Sequence, residues 1–561
     1  MTASIPPFAI LILGGLALPF LRGALRPAAL LLLPLITLYL VWQVPDGVAL
    51  QADFLGNTLM LVKGDTLSRL FATVFAIMAF AGSLYALNQS RTLELAAAFC
   101  YAGSAIGVVF AGDLITVFIF WELMAIASTL VVVSAGPSAQ SAALRYAAIH
   151  LFGGVLLMAG IAGEIAATGS IEFRAMALDS VPRALILAGF LINAGAYPLS
   201  AWLPDAYPES SWSGMVVLSA FTTKTAVYVL MRGFPGTELL IYLGLFMVFY
   251  GIIYAILEND MRRILAYSII NQVGFMVTGI GIGTQMALNG AASHAFTHII
   301  YKALLLMSAG SVLYMTGKRK CTDLGGLFRT MPVTCVCGII GALSISSFPL
   351  TSGFISKSMI SQGAADQHMA IVWYLLAAAS AGVFLHAGIK FPWFVFFQKD
   401  SGLRPAEPPW NMRAAMIFFA FLCIGIGILP APLYAILPFP VTFVPYTTSH
   451  VVFYLQLLLF SGLAFFLMLD WLKRSLTITL DVDWIWRKLG PAIFRWFDAR
   501  SDRVWDDLRD AAGRAARGVA RGVYRHHGPT GALARTWPTG NMVFWATVLL
   551  AGYLVLSYLA F

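Results

Sequence analysis

Apolar runs of about twenty residues, each long enough to cross roughly 30 Å of hydrocarbon, recur along nearly the whole of this 561-residue chain. Read between polar breaks they number about sixteen, centred near residues 13, 36, 76, 102, 124, 155, 193, 221, 248, 273, 300, 340, 383, 421, 460 and 551. Hydrophobic residues make up 60% of the chain and charged ones 11%, about half the charged fraction of a soluble protein. The pattern predicts an all-α polytopic membrane protein with about 14–16 transmembrane helices. It excludes a transmembrane β-barrel, whose strands are short and alternate polar with apolar. The opening "MTASIPPFAILILGGLALPFL" has no basic segment before its apolar run, so it reads as a retained first helix and not a cleaved signal. Cys100, Cys321, Cys335, Cys337 and Cys423 are scattered, mostly inside apolar runs, without metal-site spacing.

Loop charges set an expected orientation. Alternate short loops hold Arg22 and Arg26, then Arg91, Arg145, Arg262 with Arg263, Lys318-Arg319-Lys320, Lys399 with Arg404 and Arg413, and Lys473 with Arg474. The opposite loops hold little beyond Lys63, Arg174, Arg183 and Arg232. By the positive-inside rule the basic loops are cytoplasmic and both termini lie outside, in a multi-pass cell (inner or plasma) membrane protein.

The tail departs from this pattern. From Asp481 to about His527 it is charged and aromatic, with Ile485, Leu489, Ile493, Phe497, Leu508, Ala512, Ala515, Val519 and Val523 recurring mostly at three, four or seven residues. That spacing predicts an amphipathic helix along the cytoplasmic interface or a neighbouring subunit, kinked or restarted at Pro491. A last apolar run then crosses the membrane. The resulting divisions are N-terminal spans at 1–65, a core at 66–400, additional spans at 401–475, the lateral helix at 476–540 and the last span at 541–561.

The residues that point to function are ionisable groups near span centres, each costing about 2.5–3.5 kcal/mol there. Glu122 lies in "DLITVFIFWELMAIASTLVVV", Lys224 in "VVLSAFTTKTAVYVLM", Lys302 in "SHAFTHIIYKALLLM" and Lys390 in "AGVFLHAGIKFPWFVFF". Four such charges facing lipid alone would cost roughly 10–14 kcal/mol, so they are expected to face one another or water inside the bundle. His294, His298 and Lys302 are four residues apart and stack along one helical face, and His386 stands four before Lys390. Histidine and a desolvated lysine can hold and release protons near neutral pH, which is what a relay requires. Pro198, Pro204 and Pro208 interrupt one membrane-like stretch, and Pro349 with Gly353 interrupts another about 150 residues on. Unwound backbone at membrane depth survives only where protein or a water-filled cavity satisfies it. Paired breaks suggest an internal repeat of helices.

These stretches resemble a known family. "FWELMAIAS", "YPLSAWLPDAY", "TKTAVYVLMR", "ENDMRRILAYSIINQVGFM", "HAFTHIIYKALLLMSAGSV" and "PLTSGFISKSMI" are similar, in order and over roughly residues 65–400, to the antiporter-like subunits of respiratory complex I, membrane-bound hydrogenases and Mrp-type sodium/proton antiporters. The chain most resembles the Mrp D-type subunit, and its tail the lateral helix of the largest complex I antiporter-like subunit. The resemblance implies two inverted five-helix repeats, each with a broken helix, and a mid-membrane polar axis through Glu122, Lys224, Lys302 and Lys390. It also implies a Glu–Lys pair that sets the lysine's proton affinity, with histidines bridging onward. One position departs. Where the family carries the glutamate's lysine partner, shortly before "WLPDA", this chain has Asn193, so the switch is either rewired to Lys224 or lost. Ser200, Tyr207 and Ser358 are smaller departures.

The resemblance implies a proton-translocating subunit of a multisubunit monovalent cation/proton antiporter, handling protons and sodium among other membrane subunits. The alternatives are a proton-conducting subunit coupled to a redox module or to an inorganic-carbon uptake partner, and a non-transporting scaffold that only Asn193 favours. Within a complex I-like assembly it would be a translocase subunit; otherwise it is a transporter subunit and not an enzyme. No cofactor or metal is expected, and quinone is not expected to bind this chain. The sequence shows no phosphate-binding glycine loop, metal-ligand cluster or nucleophile–base motif. The formal charge of +9 follows the basic loops and the arginine-rich tail, which suit membrane and subunit contact better than nucleic acid.

Overall fold

The computed structural model describes residues 5–54, 56–472, 475, 480–531, 534 and 538–560. The Lys473–Arg474 pair lies outside the described residues. By length and composition, 12 helices among the described residues can cross a membrane, and four shorter apolar helices accompany them. Every one of the sixteen expected centres falls within one of these helices.

In chain order the first are α1 (Pro7–Ala17), α2 (Leu25–Val41), α3 (Thr66–Tyr85), α4 (Thr92–Phe110), α5 (Leu114–Val133) and α6 (Gln140–Thr168). The first interrupted helix comprises α7 (Val181–Ala194) and α8 (Trp202–Ala206). It is followed by α9 (Gly214–Leu218), α10 (Thr222–Gly233), α11 (Leu239–Leu257), α12 (Met261–Ile282) and α13 (Gln285–Thr316). The second comprises α14 (Pro332–Ile345) and α15 (Ser352–Asp366). Then come α16 (Ala370–Val383), running into π-helical turns at Phe384–Lys390 and Trp393–Phe397, α17 (Trp410–Ile428), α18 (Ala431–Tyr434), α19 (Thr448–Leu467) and α20 (Leu469–Leu472).

Helix starts are chemically specified. Asp65 caps α3 by accepting from the Ser68 amide at 2.8 Å while the Ser68 hydroxyl accepts from the Asp65 amide at 2.9 Å, a reciprocal capping box. Side chains of Asp113, Asp260 and Thr284 likewise accept from first-turn amides of α5, α12 and α13. Every residue of α12 except Arg263 is buried, so this helix is wrapped on all sides, and α11, α13 and α15 pack against it.

The hydropathy reading missed one element. Within 1–65 the chain forms an antiparallel hairpin, β1 (Gly47–Phe54) and β2 (Asn57–Gly64), paired from Gly47 with Gly64 to Phe54 with Asn57. Asp113 binds it to the bundle by accepting from the Met60 amide at 2.6 Å. The strands are too short and mixed in character for a window of membrane-span length to register.

The chain divides into two compact units, 1–483 and 484–561. The second holds α21 (Gly490–His527) and α22 (Thr539–Leu559). Pro491 stands in the first turn of α21, directly after a π-helical turn at Ile485–Leu489. Arginine and aspartate share α21 with an apolar stripe, and Arg500 lies over the Trp496 ring at 4.5 Å.

Candidate functional site

Buried ionisable side chains collect at three helix interruptions and along α13. At the second interruption Ser347 and Leu350 take left-handed backbone angles, φ 60° and φ 68°. Non-glycine residues rarely do so, and such backbone tends to persist where function needs it. The carbonyl of Ile345, left without a helical partner there, accepts from Lys357 Nζ at 2.6 Å, and the same ammonium sits over the Phe275 ring at 4.8 Å. Lys357 is fully buried.

Another interruption falls at 219–221, inside a run that the sequence reading treated as continuous. Lys224, also fully buried, donates to the Ser219 carbonyl at 2.6 Å and to Thr223 Oγ1 at 3.2 Å. Tyr101 pins the gap, accepting from the Thr222 amide at 2.8 Å and bonding the Thr222 hydroxyl at 2.6 Å. Lys390 follows the same rule at a helix end. Its ammonium donates to the carbonyls of Ala255, Ile256 and Glu258, which close α11, with the Glu258 bond at 2.6 Å. Three lysines thus rest on the negative, unpaired ends of helices, where a cation is stabilised.

Lys302 differs. Its Nζ is buried with no hydrogen-bond partner among the described residues, and both ring nitrogens of His298, one turn away, share that state. Beside them runs a directional string. Ser356 Oγ bonds His294 Nδ1 at 3.0 Å, His294 Nε2 reaches Gln272 Oε1 at 3.2 Å, Gln272 donates to Asn271, and Asn271 Nδ2 reaches His386 Nε2 at 3.1 Å. His386 Nδ1 ends on the Gly382 carbonyl at 2.9 Å, and Tyr301 also donates to Gln272 Oε1 at 3.1 Å. Because a carbonyl can only accept, Nδ1 of His386 carries the hydrogen and Nε2 accepts from Asn271. From His294 Nε2 through Gln272 and Asn271 to His386 Nδ1 the donors therefore point the same way, while the Ser356 hydroxyl also reaches the Ser352 and Gly353 carbonyls at 3.3 Å.

The first interruption is built without charge. Gly195 supplies the left-handed turn at φ 74°. The Ile192 carbonyl accepts from the Trp202 indole N–H at 3.0 Å. Asn193 Oδ1 lies 2.7 Å from His150 Nδ1 on α6, and the His150 ring packs on Tyr146 and Trp202. Glu122 is half-buried, and its Oε1 points at Gly154, where any Cβ would collide with it.

The family description NADH:quinone oxidoreductase/Mrp antiporter, TM, matches residues 111–384, the stretch that holds most of these groups. The D-type subunit of the Na(+)/H(+) antiporter of Alkalihalophilus pseudofirmus is 31% identical over 339 residues, covering 56% of this chain and 67% of that one. The chain belongs to this antiporter-like membrane subunit family. Among solved structures, a chain of the Mrp complex from Dietzia sp. matches with a TM-score of 0.72 at 22% identity, covering 92% of this chain and 61% of that one. A chain of the membrane-bound sulfane sulfur reductase, an archaeal respiratory membrane complex, matches with a TM-score of 0.72 at 23% identity, over 98% and 99% of the two chains. At those identities the solved structures speak to the fold.

For this family member the expected axis is only partly assembled. Lys302, His298, His294 and His386 lie together in or beside the string, which runs over α12, α13, α15 and the π-helical turn after α16. Lys390 is not hydrogen-bonded to His386; the π-helical turn carries it to the end of α11 instead. The rewired Glu122–Lys224 ion pair is absent among the described residues, because Lys224 faces the Ser219 carbonyl and Glu122 faces α6. Asn193 bonds His150, not Glu122. The sequence reading missed Lys357, His150, Asn271 and Gln272. Lys357 had a signal, since it follows the Pro349–Gly353 break directly. The other three are ordinary polar residues until their helices are brought together.

Proposed function

We propose that this chain is the proton-translocating, antiporter-like subunit of a multisubunit monovalent cation/proton antiporter, similar to the Mrp D-type subunit. The observation that carries the reading is Lys302, a buried ammonium with no partner among the described residues, beside a hydrogen-bonded string of two imidazoles. An amine buried without an acceptor can take up or pass on a proton without first breaking a hydrogen bond. Asn271 and Gln272 orient the imidazoles but cannot carry a proton themselves, so transfer between His294 and His386 would run through water. The relay comprises Lys302, His298, His294 and His386, with Lys357 at the second break and Lys224 at the gap before α10. In this reading the α7/α8 and α14/α15 breaks mark two inverted repeats, the basic loops are cytoplasmic and both termini lie outside.

Lys302→Ala is expected to abolish cation-dependent ΔpH dissipation in everted vesicles holding the whole complex, with assembly intact. A wild-type ΔpH response in that variant removes the relay. A second reading, coupling to a redox module, draws on the full-length likeness to the sulfane sulfur reductase chain. Proteins that co-purify in mild detergent separate the two: small antiporter subunits favour the first and electron-carrying subunits the second.

A further inference from the structure

A cavity of about 570 Å³ lies away from the string, between the end of α15, the start of α16, the 442–447 segment and the start of α19. It has room for an ion and a full shell of six waters, which at about 30 Å³ each need roughly 180 Å³. In a chain of formal charge +9, no lysine or arginine among the described residues lines it, and Asp366 stands at its rim.

The polar groups that face it offer lone pairs more than hydrogens. Ser358, on its wall, has spent its hydroxyl hydrogen on the Phe354 carbonyl. Behind the wall Ser380 has spent its own on the Leu376 carbonyl at 3.1 Å. The Tyr454 hydroxyl is buried at the same end. His450 donates from Nδ1 to the Pro445 carbonyl at 2.7 Å and stacks on Phe354 at 4.8 Å, which leaves Nε2 as an acceptor. Gln362 donates one of its two amide hydrogens to Asp366 at 2.7 Å. Hydroxyl oxygens beside a carboxylate, with no ammonium or guanidinium among the lining residues, suit a hard monovalent cation and disfavour an anion.

We propose that this cavity is a binding site for a hydrated monovalent cation, with the Ser358, Ser361 and Tyr454 oxygens on its wall and Asp366 at its mouth. It deepens the antiporter reading, on which it rests, by assigning the coupling cation a place apart from the proton string. In the proposed orientation it opens on the outer side, beside the α15–α16 connection.

The test uses the assembled complex in right-side-out vesicles. Ser361→Cys is labelled with membrane-impermeant cationic and anionic thiol reagents, with the wild-type chain as background. The cationic reagent is expected to react at least about fivefold faster. Sodium, against choline at equal ionic strength, is expected to slow it at least about threefold. Equal rates without protection identify a water-filled crevice only, and no labelling from either side identifies a closed cavity; either result overturns the site. If Ser361→Cys blocks assembly, Ser449→Cys at the rim takes the same reading. In transport, Ser358→Ala with Ser361→Ala is expected to raise the half-saturating sodium concentration about tenfold at unchanged maximal rate. No change overturns the site. Labelling needs no turnover, so the two proposals fail separately. Sodium protection with an active Lys302→Ala variant sinks only the relay, and no protection with an inactive one sinks only the cation site.

Discussion

The two broken helices solve one problem with different chemistry. Each interruption frees a carbonyl at membrane depth that must find a donor. At α14/α15 the Ile345 carbonyl takes the Lys357 ammonium, and at α7/α8 the Ile192 carbonyl takes the neutral Trp202 indole. The second break also joins a histidine string through Ser356, whereas at the first His150 bonds Asn193 through Nδ1 and its buried Nε2 has no partner among the described residues. The difference teaches that a break by itself does not make a proton site. What matters is whether the group satisfying it can change charge.

The largest effect is expected at the string. Lys302→Ala should remove cation/proton exchange altogether, while Lys357→Met should lower it about tenfold or more, as buried membrane lysines on ion pathways generally do. Initial rates of ΔpH dissipation measure both. A Lys357→Met variant that transports normally would erase the distinction between the breaks.

At the first break the expected loss is stability and not transport. Trp202→Phe removes one of two donors on the Ile192 carbonyl, leaving the Gly195 amide at 3.1 Å, and Asn193→Ala leaves His150 Nδ1 unpaired; the losses should be about 0.5–1.5 and about 1–3 kcal/mol. Thermal inactivation of the purified complex reads that cost. Transport falling as far as in Lys357→Met would mean that the neutral break also carries protons. Asn193→Lys sharpens the point, because a charge introduced there should compete with the His150 contact and destabilise the fold before it restores any switch.

Glu122 and Lys224 provide a smaller test. With no ion pair between them, a double-mutant cycle on transport should give a coupling below about 0.5 kcal/mol. A larger coupling would show that the two charges meet in another state of the transport cycle.

The smallest effect is expected at the start of α3, outside the membrane core. Burial pushes the Asp65 carboxyl up, but Arg232, donating at 2.6 Å, and the Ser68 amide outweigh it and hold it below the ordinary value of 3.8. A lowered carboxyl contributes stability above its unfolded value, and that contribution fades as pH falls through the lowered one. Thermal stability should therefore not respond to this pair's titration at neutral pH, and Asp65→Asn should narrow the acid tolerance of the complex slightly. A pH-dependent change in stability near pH 7 traced to Arg232 and Asp65 would contradict the sign.

Hydropathy is a local property of the chain, which is why the apolar spans, the stacked His294–His298–Lys302 face and both proline breaks were legible from residue order alone. Hydrogen-bond partners are not local. His150 meets Asn193 across 43 residues and Asn271 meets His386 across 115, so no spacing rule could pair them. The resemblance put Glu122, Lys224, Lys302 and Lys390 on one axis. Packing instead sent Lys224, Lys357 and Lys390 to the nearest unpaired carbonyls, because a buried ammonium is stabilised most by the acceptor it can reach. The sequence by itself determined that this protein spans a membrane and keeps charge inside it. Only the tertiary structure decided which of those charges are held by backbone, and that the ammonium left without a partner among the described residues is that of Lys302.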